Sequence, residues 1–84
     1  MYEVNFANAN DFVSCVNSGC EVEFLYGNKA YSVAVPEGKI IVCEQYNEES
    51  EVIYTNPIEA LSYPIGNKTL GDVLTTMTVT FRSF

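Results

Sequence analysis

The chain is 84 residues long, with eleven acidic and four basic side chains, no histidine and a net charge of −7. That balance excludes a surface that grips nucleic-acid phosphates, which needs clustered Lys and Arg, and any chemistry that depends on an imidazole. The 48% apolar content marks a folding chain, read as one domain over residues 1–84 that buries roughly 60% of its unfolded surface.

Tyr2, Val4 and Phe6 alternate with Glu3 and Asn5, the period of a half-buried strand. Asn8 then caps a helix running to about Ser18, with Asp11 in its first turn and Phe12, Cys15 and Val16 on one apolar face. Gly19 is the left-handed stop. Two strands, Glu21 to Tyr26 and Lys29 to Val35, flank Gly27-Asn28, a two-residue loop suited to a primed turn. That loop pairs Tyr26 with Lys29, Phe24 with Tyr31 and Val22 with Val33, so Val22, Phe24, Tyr31 and Val33 share one face.

Pro36-Glu37-Gly38 reads as a second turn with Pro36 at its first central position. The third strand, Lys39 to Tyr46, is apolar on both faces through Ile40, Ile41 and Val42, which predicts an inner place in the sheet. Asn47-Glu48-Glu49-Ser50 reads as a polar turn, and Glu51 to Thr55 as a short strand. Asn56-Pro57, with Glu59 following, starts a helix that ends before Pro64. Ile65 to Lys68 is a turn, and Thr69 with Asp72 caps a helix carrying Leu70, Val73 and Leu74. Met77, Val79 and Phe81 alternate with Thr76, Thr78, Thr80 and Arg82 in a last strand. The expected fold is α+β: a mainly antiparallel sheet of five or six strands with two or three short helices on one face.

Three cysteines, Cys15, Cys20 and Cys43, read as free thiols of a reducing cytoplasm, since a secreted disulfide scaffold carries an even, denser set. The opening Met1-Tyr2-Glu3-Val4-Asn5 lacks the basic and apolar regions of a secretory signal. The longest strongly apolar run, Ile40 to Cys43, falls far short of the roughly 20 residues that span a bilayer.

Metal, nucleophile and phosphate sites find little support. Cys15 and Cys20 lack a second metal-binding hook, and no histidine is present to activate a cysteine. Glu21, Glu23 and Glu44 read as solvated carboxylates on the sheet, not an acid–base pair. In Gly66-Asn67-Lys68-Thr69 an asparagine separates glycine from lysine, which spoils a phosphate-binding loop. Asn67-Lys68-Thr69 fits a glycosylation acceptor, relevant only to a secreted chain. No catalytic residue and no cofactor are therefore expected.

The acidic segment from Glu44 to Glu59 is different, because Tyr46, Tyr54 and Tyr63 fall within it or just beyond it. Tyrosine joins a large apolar face to a polar tip and is favoured at protein interfaces. The expected binding residues are Glu44, Tyr46, Glu48, Glu49, Glu51 and Tyr54. The partner implied is a protein with a basic surface, bound neither to nucleic acid nor to a membrane through this chain. A homodimer formed by the edge strand Thr76 to Arg82 is the alternative.

Glu21-Val-Glu-Phe-Leu-Tyr-Gly-Asn-Lys-Ala-Tyr-Ser-Val33, Gly38-Lys-Ile-Ile-Val-Cys-Glu44 and Asn67-Lys-Thr-Leu-Gly-Asp-Val-Leu74 together resemble small uncharacterised proteins of Firmicutes and their phages or mobile elements. In those a short helix precedes a V-E-F-x-Y-x-x-K-x-Y-S hairpin, and a G-K-T-L helix closes the chain; the resemblance brings no catalytic residues with it. Length and acidity are also similar to those of phage-encoded inhibitors of bacterial defence systems, anti-CRISPR proteins among them. Many of these are non-enzymatic and some mimic nucleic acid, which implies an inhibitor acting by docking.

Overall fold

One hairpin sets the frame. In the computed structural model, which describes residues 5–83, β1 (Val22–Tyr26) pairs antiparallel with β2 (Lys29–Ala34). The register is the expected one, with Val22 opposite Val33, Phe24 opposite Tyr31 and Tyr26 opposite Lys29. Val22, Phe24, Tyr31 and Val33 are all buried, and the Phe24 and Tyr31 rings stack with centroids 5.2 Å apart. Gly27, at φ +64°, takes the left-handed first position of the turn, which glycine adopts without steric cost.

The next two turns depart from the sequence reading. β3 (Ile40–Glu44) sets Ile41 opposite Ala34, which makes Glu37 and Gly38 the loop and leaves Pro36 outside it. Both loop residues are left-handed, at φ 53° and 80°, and the Lys39 N–H donates to the Pro36 carbonyl at 3.0 Å. This is the type I′ pattern, with a glutamate where Asn, Asp or Gly is favoured.

β3 then ends at Glu44, not Tyr46, and the chain reverses at Gln45-Tyr46. The polar residues 47–50, expected as a turn, instead begin the edge strand β4 (Asn47–Tyr54). Pairing jumps from Glu44 opposite Asn47 to Val42 opposite Val52, so residues 48–51 stand against Cys43 alone in a wide bulge. The Ser50 hydroxyl fills this bulge. It accepts the Glu44 N–H at 2.8 Å and donates to the Asn47 carbonyl at 2.6 Å. Tyr63 reaches across to donate its hydroxyl to the Ser50 carbonyl at 2.9 Å.

The sheet is completed on its other side by β7 (Thr78–Arg82), giving the order β4-β3-β2-β1-β7, antiparallel throughout. Phe24 faces Val79, yet Glu23 faces Phe81 and Val22 faces Arg82, so Thr80 is an extra residue. Beyond it the alternation inverts. Phe81, expected to follow Val79 inward, is exposed, and Arg82 lies on the covered face with Val22.

Helix α1 (Ala9–Asn17) starts where the Asn8 side chain accepts the Asp11 N–H at 3.0 Å and ends at Gly19, φ +83°. Helix α2 (Pro57–Ala60) is one turn long, capped by Asn56. The turn at Gly66-Asn67 joins two-residue strands, β5 (Pro64–Ile65) and β6 (Lys68–Thr69). Helix α3 (Leu70–Val73) opens on a reciprocal capping box between Thr69 and Asp72. Of the strand expected over residues 2–6, residues 2–4 lie outside the described ones; Asn5 and Phe6 are not in a strand. Asn5 accepts the Val79 N–H at 2.7 Å, and Phe6 packs edge-on against Phe12.

The core gathers Phe12, Cys15 and Val16 of α1, Ala60 of α2, and Leu70, Val73 and Leu74 from α3 and its end, against the sheet's inner face. Each fully buried large side chain contributes about 1.5–3 kcal/mol. The outer face carries Leu25, Ile53 and Phe81 exposed and Ile41 and Cys43 half-buried. The protein is thus α+β; its described residues form a five-stranded antiparallel sheet, a second two-stranded one and three short helices.

Candidate functional site

In an antiparallel meander the β1–β2 and β3–β4 turns fall at the same end of the sheet. They meet there. The Gln45 N–H donates to the Ala30 carbonyl at 2.8 Å, and Lys29 Nζ lies 3.4 Å from Glu44 Oε1. Between the two tips is an open cleft of about 400 Å³ lined by Asn28, Lys29, Glu44, Tyr46 and their neighbours.

Tyr46 is the outlying residue of this tip. Its backbone is left-handed, φ 65°, and its side chain is as exposed as in a free peptide, at 103%. For a bulky residue that conformation costs on the order of 1 kcal/mol or more, with no burial to offset it.

The six expected binding residues separate by environment. Glu48, Glu49 and Glu51 stand exposed along β4, and among the described residues none of the three is in an ion pair. Glu44 is half-buried and held by Lys29. Tyr54 lies opposite Ile40 and packs against the core, so it is not an outward anchor. Tyr63 is buried, and burial raises its phenol above the ordinary value despite the bond to Ser50. The outward-facing set is therefore Tyr46 with Glu48, Glu49 and Glu51, and half-buried Glu44 behind the tip.

Among the described residues, the remaining acids are dispersed or employed in the fold. Asp72 caps α3, Asp11 holds Arg82, and Glu37 sits at the opposite end of the sheet. Glu21, Glu23 and Glu59 are exposed on β1, its approach and α2. The β4 edge is where consecutive carboxylates lie closest in sequence. Such a surface accepts hydrogen bonds from ammonium and guanidinium groups, and the open ring of Tyr46 offers a face for a cation to stack on.

Sequence reasoning missed Ser50, which holds β4 in its bulged path, and the special exposure of Tyr46. A tyrosine within an alternating acidic segment carries no mark of a left-handed backbone. Cys15 and Cys20 are buried and Cys43 half-buried, all as free thiols. Among the described residues no three metal-binding side chains converge, and no helix is long and apolar enough to cross a membrane. No family model, curated protein or solved structure matches the chain.

Proposed function

We propose that this chain is a non-enzymatic interaction protein that docks the acidic edge of β4 and the Tyr46 tip onto a basic protein surface. The observation that carries the reading is Tyr46: a fully exposed aromatic on a left-handed backbone, beside open carboxylates. The fold gains no packing from it, and a smaller residue would suit the turn better. Central aromatic anchors with a polar surround are the usual energetic heart of an interface.

Glu48, Glu49 and Glu51 would meet lysine and arginine of the partner, speed association and impose salt dependence. Carboxylates in a row suit a channel built for phosphates, so the partner class we favour is a nucleic-acid-binding protein. An inhibitor of a host defence protein, of the kind phages and mobile elements encode and anti-CRISPR proteins exemplify, would act in this way, in the cytoplasm and without a cofactor. The homodimer reading has less support, because Asn5 already takes the Val79 N–H on the edge of β7.

The test compares the chain carrying Glu48→Lys, Glu49→Lys and Glu51→Lys with one carrying Glu21→Lys and Glu59→Lys, against basic nucleic-acid-binding proteins at several salt concentrations. Tenfold or greater loss confined to the β4 variant, with affinity falling as salt rises, is expected. Equal losses in both, or affinity indifferent to salt, would sink the reading.

A further inference from the structure

Helix α1 ends in a Schellman motif. The Cys20 N–H donates back to the Cys15 carbonyl at 3.0 Å, and the Gly19 N–H to the Val16 carbonyl at 2.9 Å, with Gly19 left-handed between them. This motif brings the side chain three residues before the cap against the one two residues beyond it. Those two side chains are Cys15 and Cys20. Both are buried, and both line a surface depression of about 260 Å³ with Ser14, Ser18 and Arg82. The backbone geometry thus sets two cysteines against one another beside a depression open to solvent, the kind of close approach that a disulfide requires.

We infer that Cys15 and Cys20 form a reversible dithiol–disulfide pair, closed across the end of α1 by exchange with a small-molecule disulfide. One thiol loses its proton, and its sulfur attacks the small disulfide, making a mixed disulfide and releasing one small thiolate. The second protein thiolate then attacks the protein sulfur of that mixed disulfide and releases the other. Two protein thiols are oxidised by two electrons, the small disulfide is reduced to two thiols, and the two protons end on them. Cys43 takes no part, since it sits on β3 beside the Ser32 hydroxyl.

The depression also sets the pace. Burial pushes the Cys15 thiol up to about 11, with the Cys20 thiol adding to the rise and the Arg82 guanidinium opposing it. The charged and titratable groups facing Cys15 are Cys20 and Arg82, and Arg82 has Asp11 on its other side. Attack needs the thiolate, so closure is slow near neutrality and quickens as pH rises. A guarded pair of this kind stays open in a reducing cytoplasm and closes under sustained oxidation.

The experiment equilibrates the folded chain with oxidised and reduced glutathione, traps remaining thiols with an alkylating agent, and reads intact mass and peptide map. The expected product has one alkylated thiol, Cys43, and a Cys15–Cys20 link. The rate should rise with pH between 7 and 10. Cys43→Ser should close as the parent does, while Cys15→Ser and Cys20→Ser should not close. The link should also withstand at least roughly tenfold more reduced glutathione in the folded chain than in 8 M urea, since the Schellman cap holds the thiols together. Three alkylated thiols at equilibrium, a link through Cys43, or a link no firmer in the folded chain than in urea would overturn the inference.

Discussion

Arg82 and Asp11 hold one another across 71 positions of sequence, with Nη2 2.5 Å from Oδ1 and Nη1 3.4 Å from Oδ2. The contact ties the last strand to the first turn of α1, and the Arg82 guanidinium also lies over the Phe6 ring, 4.4 Å from its centroid. Only 11% of the Arg82 side chain is open to solvent. Loss of the carboxylate would leave a shielded charge with fewer partners, which is more costly than loss of an exposed pair.

Asp11→Asn should therefore destabilise the domain by about 1–3 kcal/mol at neutral pH, the range for charge-assisted hydrogen bonds. The hydrogen bond from Arg82 holds the Asp11 carboxyl below its ordinary value of 3.8, against an opposing effect of burial. A carboxyl depressed by folding stabilises above its unfolded value and ceases to do so as pH falls through its folded one. Denaturant unfolding of parent and variant should show a gap at pH 7 that closes once the pH lies below the folded value. A gap unchanged down to pH 2 would contradict the assignment.

Tyr46→Gly should raise stability by about 0.5–1 kcal/mol, since glycine adopts φ 65° without strain and the ring is not packed. Glu37→Gly should act likewise in its type I′ turn, at φ 53°. Only the first should weaken docking, because Glu37 lies at the far end of the sheet. Thermal melts paired with binding measurements separate the two effects. A Tyr46→Gly chain that is more stable and binds as before would remove Tyr46 from the interface.

Ser50→Ala removes the acceptor for Glu44 N–H and the donor to Asn47 in one change. A cost of about 1–2 kcal/mol is expected from two modest hydrogen bonds and a half-buried amide left short of a partner. Amide exchange should quicken at Glu44 and along the start of β4 while β1 and β2 stay protected. Uniform loss of protection would show that the bulge is not a local unit.

The buried phenols predict the alkaline limit. Burial raises both Tyr31 and Tyr63 above 10, and Glu44 adds to the rise at each. The unfolded chain gives up these protons first, so stability is complete below pH 10 and falls as pH climbs from there through the folded values. Ultraviolet titration should show two tyrosines ionising late and together with unfolding. A folded chain in which no tyrosine ionises late would refute it.

What could be read in advance followed from agreement between independent local rules. Gly27-Asn28 and the alternation of Val22, Phe24, Tyr31 and Val33 demand the same register, and that register is found. The caps at Asn8, Asn56 and Thr69 are equally local, one side chain meeting one nearby N–H. The β3–β4 reversal was not legible, because Asn47-Glu48-Glu49-Ser50 has a turn's composition and occupies a strand. Its bulge is held by Tyr63, from the loop after α2, which no local rule reports. The candidate site was half legible. A run of acids is plain in the sequence, but only the register against Ile40 decides that Tyr54 turns inward while Tyr46 stays out.

Thr80 works as a phase shift in the pleat of the final strand. With it, the strand delivers an aliphatic side chain to the interior at Val79 and a cation at Arg82, where strict alternation would have sent Phe81. Were the bulge straightened with this threonine kept in the ladder, strict alternation would drive the Phe81 ring into the seat beneath α1 and cast Arg82 into water, uncoupling the last strand from the first helix. The closing strand is thus written in two frames, and the step between them joins the C-terminal end of the sheet to the first helix.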